Sequence, residues 1–242
     1  MELHYLSATS ALSKFKNKTL SPVELTKAII ERSEKVNSKI NAHNFTFYEE
    51  AITNAKKSED KYFSSNEKIL PLEGIPLAIK DEEDIEGQPN TNGSLILKDH
   101  IATKTMVDVE RIVNSGAIIH ARTTTPEFSC TSFTHSKLWG VTRNPWNLDY
   151  TPGGSSGGSG ASLAAGCSTL ATGSDIGGSI RIPASACGLV GFKPPHGRNP
   201  QEAPFNHDQY CVVGPMARSV QDCALMQNVM SGPHPKDITS LK

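Results

Sequence analysis

Residues 151–193 read TPGGSSGGSGASLAAGCSTLATGSDIGGSIRIPASACGLVGFK, and their reading decides the fold. Two glycine-flanked serine clusters, Gly153-Gly154-Ser155-Ser156-Gly157-Gly158 and Gly177-Gly178-Ser179, frame a run that reads helix then strand. Glycine carries no Cβ, so backbone N–H groups can approach a ligand closely and adopt positive φ. A serine hydroxyl can serve as nucleophile or proton relay. Together these are parts for attacking a carbonyl and holding the oxyanion that results. A phosphate cradle of the P-loop type would need Gly-Lys-Ser/Thr after the glycines, and none follows. A flexible Gly/Ser linker is disfavoured because the glycines alternate with apolar, periodic segments.

Outward from this stretch, helix and strand patterns alternate. Ser21-Pro22-Val23-Glu24 supplies an N-cap serine, a first-turn proline and a capping-box glutamate, which predicts a helix to about Asn37. A second helix is predicted from about Phe47 to Lys61, and Leu72–Lys80 suits an entry turn and a short strand ending at Lys80. Met106–Asn114 reads as helix with Gly116 beyond it, and 117–122 as a buried strand. Helix 159–165, strand 169–172 and helix 219–230 follow, while 194–211 reads as a long loop. The pattern predicts an α/β class, a layered fold with a central mixed β-sheet flanked by helices, in one domain over 1–242 with its core at about 70–195.

Composition narrows the function classes. The 24 Lys+Arg nearly balance the 25 Asp+Glu, so no basic nucleic-acid surface is expected. Five cysteines, Cys130, Cys167, Cys187, Cys211 and Cys223, form neither a C-x-x-C motif nor an even set, and read as small core residues. No metal or cofactor is expected, since no His/Cys/carboxylate cluster has ligand spacing. No membrane-length apolar run occurs, and a reduced, cytoplasmic protein is the expectation. Three S-x-x-K matches (Ser13–Lys16, Ser58–Lys61, Ser65–Lys68) lie in polar, lysine-rich stretches and read as chance. His196 and His207 read as surface residues, and Trp139 and Trp146 as packing beneath the loop before Gly153.

Further blocks stand in order along the chain: Gly74-Ile75-Pro76-Leu77-Ala78-Ile79-Lys80-Asp81, Thr125-Pro126-Glu127-Phe128, Asn144-Pro145-Trp146, Cys187-Gly188-Leu189-Val190-Gly191-Phe192-Lys193-Pro194 and Gly214-Pro215-Met216-Ala217-Arg218-Ser219. With 151–193, this series resembles the amidase signature family of serine hydrolases, from about residue 20 to 235. Family members are considerably longer, so the chain resembles the N-terminal half of one. The resemblance implies a Ser–Ser–Lys triad: Ser179 as nucleophile, Ser155 as bridging serine after a cis Gly154–Ser155 peptide, and Lys80 as base. It implies an oxyanion hole of the backbone N–H groups of Ile176, Gly177, Gly178 and Ser179, and a backbone contact to substrate near Ser129.

A lysine that accepts protons must be neutral, and burial away from carboxylates favours that form. The acidic run Asp81-Glu82-Glu83-Asp84 is therefore expected to point away from Lys80. Asp175 and Arg181 read as a pair that holds the Gly177–Gly178 turn, and Ser156 as a loop residue. The expected substrate is a small-molecule amide, with Ile180, Ile182 and Leu189 suiting an apolar acyl group. No nucleic-acid or membrane partner is expected, and a homodimer stays open. One family branch is the amidotransferase component that makes glutamine on misacylated tRNA, with a glutamine after Ser-Ile-Arg and a Gly-Arg-Val-Ser-type run. Ile182 and Gly197-Arg198-Asn199-Pro200 depart from both. A non-catalytic fragment is the other alternative.

Overall fold

A computed structural model describes residues 2–64 and 67–240. Its helices are α1 (Ala8–Lys16), α2 (Pro22–Ile40), α3 (Tyr48–Phe63), α4 (Val107–Asn114), α5 (Gly157–Ala164), α6 (Arg181–Cys187) and α7 (Val220–Met230). Its strands are β1 (His43–Thr46), β2 (Pro76–Lys80), β3 (Ile118–Thr123), β4 (His135–Ser136), β5 (Gly140–Val141), β6 (Leu170–Asp175), β7 (Val190–Gly191) and β8 (Val212–Ala217). Six strands form one mixed sheet in the order β1-β3-β2-β6-β8-β7, and β4 and β5 pair as a short hairpin. Helices flank the sheet, as the alternation of patterns implies.

The centre of the sheet is parallel, β3, β2 and β6 running the same way. Their C-terminal ends, Thr123, Lys80 and Asp175, therefore share one edge. Crevices at such an edge are where open α/β sheets place their sites. Strand β2 is buried at every position, hence its unbroken Pro-Leu-Ala-Ile-Lys run rather than an alternating one. On one side Leu77 and Ile79 join a core with Leu25 and Ile29 of α2 and Ile112 of α4.

Local chemistry sets several boundaries. The Ser21 hydroxyl accepts from the Glu24 amide at 3.1 Å while Glu24 accepts from the Ser21 amide at 2.8 Å, so the capping box is complete. The helix then runs three residues past the expected end, to Ile40, with Asn41 beyond it in the left-handed region. Gly116 has φ +88° where α4 turns into β3, and an added Cβ would lie 2.8 Å from Glu73 Cα.

Seven elements escape the sequence patterns: α1, α6, β1, β4, β5, β7 and β8. β8 contains Gly214-Pro215, which carries no strand signal. Proline usually marks an edge or a bulge; here Pro215 stands in register with Thr172 of β6. The loop 194–211 is irregular apart from one short turn at Phe205–His207.

Candidate active site

Lys80 ends β2 fully buried, and its backbone amide donates to Thr172 Oγ1 on β6. Its Nζ donates to Ser155 Oγ at 2.8 Å and to Ser174 Oγ at 2.8 Å. A third neighbour is the Glu82 carboxylate, with Oε2 at 2.6 Å. This corrects the expectation that the whole acidic run turns away. Asp81 does so, accepting from Asn44 and Thr91, and Asp84 accepts from Asn90. Glu83 is buried among Asp108 and Arg122. Glu82 folds back because the tight turn after β2, in which its amide donates to the Lys80 carbonyl at 2.8 Å, brings it over the strand end. Burial raises the Glu82 carboxyl, but the Lys80 charge, the hydrogen bond it makes and the Ser129 and Ser174 hydroxyls outweigh this and leave it below the ordinary glutamate value.

Ser155 lies on the segment leading into α5, and the Gly154–Ser155 peptide is cis. The segment is packed tightly: a Cβ on Gly154 would lie 2.6 Å from the Phe133 amide nitrogen. Ser156 exchanges weak bonds with the Ser174 backbone, consistent with a loop role. Ser179 follows β6, and with Ser155, Ser174 and Glu82 it lines a cavity of about 530 Å³. No hydrogen bond joins the Ser155 and Ser179 hydroxyls among the described residues.

The turn carrying Ser179 is built on Asp175. Its buried carboxylate accepts from Arg181 Nε and Nη2, both at 2.9 Å, and from the amides of Gly178, Ile180 and Arg181. Burial raises the Asp175 carboxyl, yet these donors hold it far below the usual carboxylate range. Of the four amides expected to face an oxyanion, that of Gly178 is thus engaged by Asp175 at 2.8 Å. Ile176, Gly177 and Ser179 line the cavity. Ser129 lines it too, at φ +56°, donating its hydroxyl to Glu82 and sharing a 3.0 Å bond with Thr125.

Other expectations are corrected. Trp146 is 74 % exposed, its indole N–H donating to the Cys187 carbonyl, and Trp139 packs on Phe45 and donates to Thr91. Neither lies beneath the loop before Gly153. Ile180 is core, packed with Leu163 and Ala171, and Leu189 packs on the same cluster, so of the three apolar residues only Ile182 reaches the cavity. Cys130 is exposed and Cys211 half-buried, and both line the cavity rather than fill the core; Cys167, Cys187 and Cys223 are buried. His207 is exposed, and His196 half-buried with a buried Nδ1. Ser58 and Lys61 both donate to Glu73, far from the cavity, and Ser65 lies outside the described residues.

Sequence reasoning also missed Ser174 and Thr172. Alternate residues of a strand share a face, so the Thr172-x-Ser174 hydroxyls on β6 were a usable signal for the wall facing Lys80. Among the described residues, no group of three or more His, Cys, Asp or Glu is arranged to hold a metal, and no helix is long and apolar enough to cross a membrane.

A buried lysine and serine thus touch at the C-terminal edge of the parallel strands, with a second serine on a glycine turn in the same cavity. A family model described as Amidase matches residues 24–242, and the chain belongs to this family, the amidase signature enzymes. It is 42% identical over 244 residues to a glutamyl-tRNA(Gln) amidotransferase subunit of Carboxydothermus hydrogenoformans, covering 99% of this chain and 50% of that protein. It is 40% identical over 241 residues to an acylamidase of Rhodococcus erythropolis, again covering 99% and 50%. The solved structure of a bacterial aryl acylamidase superposes with a TM-score of 0.94 at 33% identity, covering 100% of this chain and 51% of that one. The chain thus spans about half the length of the relatives it matches.

Proposed function

We propose that the protein hydrolyses a small-molecule carboxylic amide through a covalent acyl-enzyme on Ser179, with Ser155 as relay and Lys80 as base. The observation that carries the reading is the 2.8 Å contact between buried Lys80 Nζ and Ser155 Oγ beside Ser179 in one cavity. In the neutral amine form, Lys80 takes the Ser155 proton as Ser155 takes that of Ser179, whose oxygen attacks the amide carbon. The amides of Ile176, Gly177 and Ser179 are the donors for the oxyanion, and such a donor is worth about 10²–10³ in rate. The intermediate collapses by breaking the C–N bond, and the proton returns through Ser155 to the departing nitrogen. Water then cleaves the acyl-serine ester by the same path, releasing acid and regenerating Ser179.

Ile182, Phe128 and Phe205 in the cavity wall favour an apolar acyl group, in keeping with the acylamidase names of the relatives. The amidotransferase relative supports a second reading, a component of a larger enzyme that draws ammonia from an amide. Against it stand the departures at Ile182 and 197–200.

The deciding experiment is intact mass after exposure to a fluorophosphonate. One adduct on the chain, absent in Ser179→Ala and slowed in Lys80→Ala, is the expected result. A folded chain that takes up no label would sink the proposal for this chain. Turnover of glutamine alone among simple amides would favour the amidotransferase reading.

A further inference from the structure

Lysine nitrogen carries three donors as an ammonium and has no lone pair to accept with. Lys80 Nζ is surrounded by three oxygens, Ser155 Oγ at 2.8 Å, Ser174 Oγ at 2.8 Å and Glu82 Oε2 at 2.6 Å. An ammonium would donate to all three, whereas the amine that the relay needs would donate to two and accept from the Ser155 hydroxyl. Of the three oxygens the carboxylate is the one that can only accept, and its charge favours the ammonium. Glu82 is the one charged member of the set, and its side chain is only 13 % exposed. A charge pair withdrawn from water interacts more strongly than a surface pair. We propose that Glu82 is a positioning residue of this site: its carboxylate anchors Lys80 Nζ as an ammonium in the resting site, so that the relay starts only when that contact is loosened or the proton is lost.

The proposal rests on the hydrolase reading for its consequence, and on geometry for the contact itself. Recognition of a cationic substrate is the competing use of a carboxylate in a cavity. It is disfavoured because Glu82 Oε2 already takes both Lys80 and the Ser129 hydroxyl. Ser129 is tied in turn to Thr125 just beyond the end of β3, so the carboxylate is braced from a second element.

The other charged groups facing this pair are few. From its own loop come Asp81, turned to Thr91, and Glu83; from β3, Arg122, which donates to the Lys80 carbonyl. From α4 comes Asp108, from the end of β6 Asp175, and from the irregular loop Cys211. Asp175 is neutralised by Arg181 and Lys193. Arg122 is opposed by Asp81 and Glu83. Glu82 is therefore the group whose removal changes the charge balance at Nζ.

The test compares the whole chain with Glu82→Gln and Glu82→Asp by two independent measurements. Fluorophosphonate labelling of Ser179 is followed against pH. In Glu82→Gln the rate at pH 7 is expected to rise about tenfold, with its rise moved toward acid pH, because an opposite charge this close stabilises the cation by at least a factor of this order. Glu82→Asp keeps the charge and is expected to stay near the parent profile. A Glu82→Gln profile that overlays the parent overturns the proposal.

Nitrogen-15 NMR of Lys80 Nζ, assigned with Lys80→Ala, reports its charge state directly. An ammonium signal at pH 7 in the parent, converting to amine at lower pH in Glu82→Gln, is expected. An amine signal in the parent at pH 7 overturns the proposal even if Glu82→Gln does not fold. Absence of labelling with an ammonium signal present would sink the hydrolase reading while leaving Glu82's anchoring role standing.

Discussion

At the scale of single residues, the site separates two serines that touch the same nitrogen. Ser155 and Ser174 both accept from Lys80 at 2.8 Å, but only Ser155 stands on the segment entering α5, in the proposed relay position. Ser155→Ala is expected to lower the labelling rate of Ser179 about 10³-fold or more, as loss of a member of a catalytic set does. Ser174→Ala removes a hydrogen bond to a charged group, worth about 1.5–3 kcal/mol, and is expected to cost about 10–100-fold. Equal losses in the two variants, measured side by side, would contradict the division of roles. Lys80, Ser155 and Ser179 could be named from the ordered motif blocks. Glu82 could not, because whether a residue after a strand end points back or away depends on the turn, and the Lys80–Glu82 turn is defined by backbone bonds rather than by residue type.

At the scale of elements, α5 explains why the serine stretch is so rich in glycine. The helix is buried almost throughout and presses on the end of β3. A Cβ on Gly158 would lie 2.4 Å from both the backbone nitrogen and oxygen of Thr124, and backbone cannot yield as a side-chain tip does. Gly177, in the turn before Ser179, has nothing within 4 Å of such a Cβ. Gly158→Ala is therefore expected to destabilise the fold by about 1–3 kcal/mol through overpacking, and Gly177→Ala to stay within about 0.5 kcal/mol of the parent. Urea unfolding of the two variants reads this difference; the reverse order would show that the close approach of α5 to Thr124 is wrong. Both glycines look alike in the chain. Packing distinguishes them.

At the scale of the whole molecule, two buried titrating clusters oppose each other. His43 and His120 are lowered by burial, to about 3 and about 4, within a chain of bonds running Tyr48–Ser33–His43–Ser162–Ser168–His120. Unfolded, they bind protons near 6.5, so the stability they give is present above that pH and is lost as pH falls toward 4. Asp108 is raised to about 7, by burial first and by nearby Glu82 and Glu202. Its neutral form belongs to the folded state, so its contribution is full below about 3.8 and is lost as pH rises through about 7. Relative to Asp108→Asn, the parent is expected to lose about 2–4 kcal/mol between pH 5 and pH 8 in urea unfolding. Parallel pH dependences in the two proteins would show that Asp108 does not carry this charge cost.

The sequence by itself determined the α/β class and the starts of α2, α3, α4 and α7, because caps, glycine turns and apolar periods act over a few neighbouring positions. The residues of the proposed triad are those that the resemblance of the ordered blocks to the family implies. α2 is the clear case, its capping box legible from Ser21 to Glu24 and complete in the fold. Only the tertiary structure decided the identity of β8, the rim position of Cys130 and Cys211, the engagement of the Gly178 amide by Asp175 and the return of Glu82 to Lys80. Each of these depends on which strand or turn lies alongside. That is set by long-range pairing and burial, which residue type and spacing along the chain do not encode.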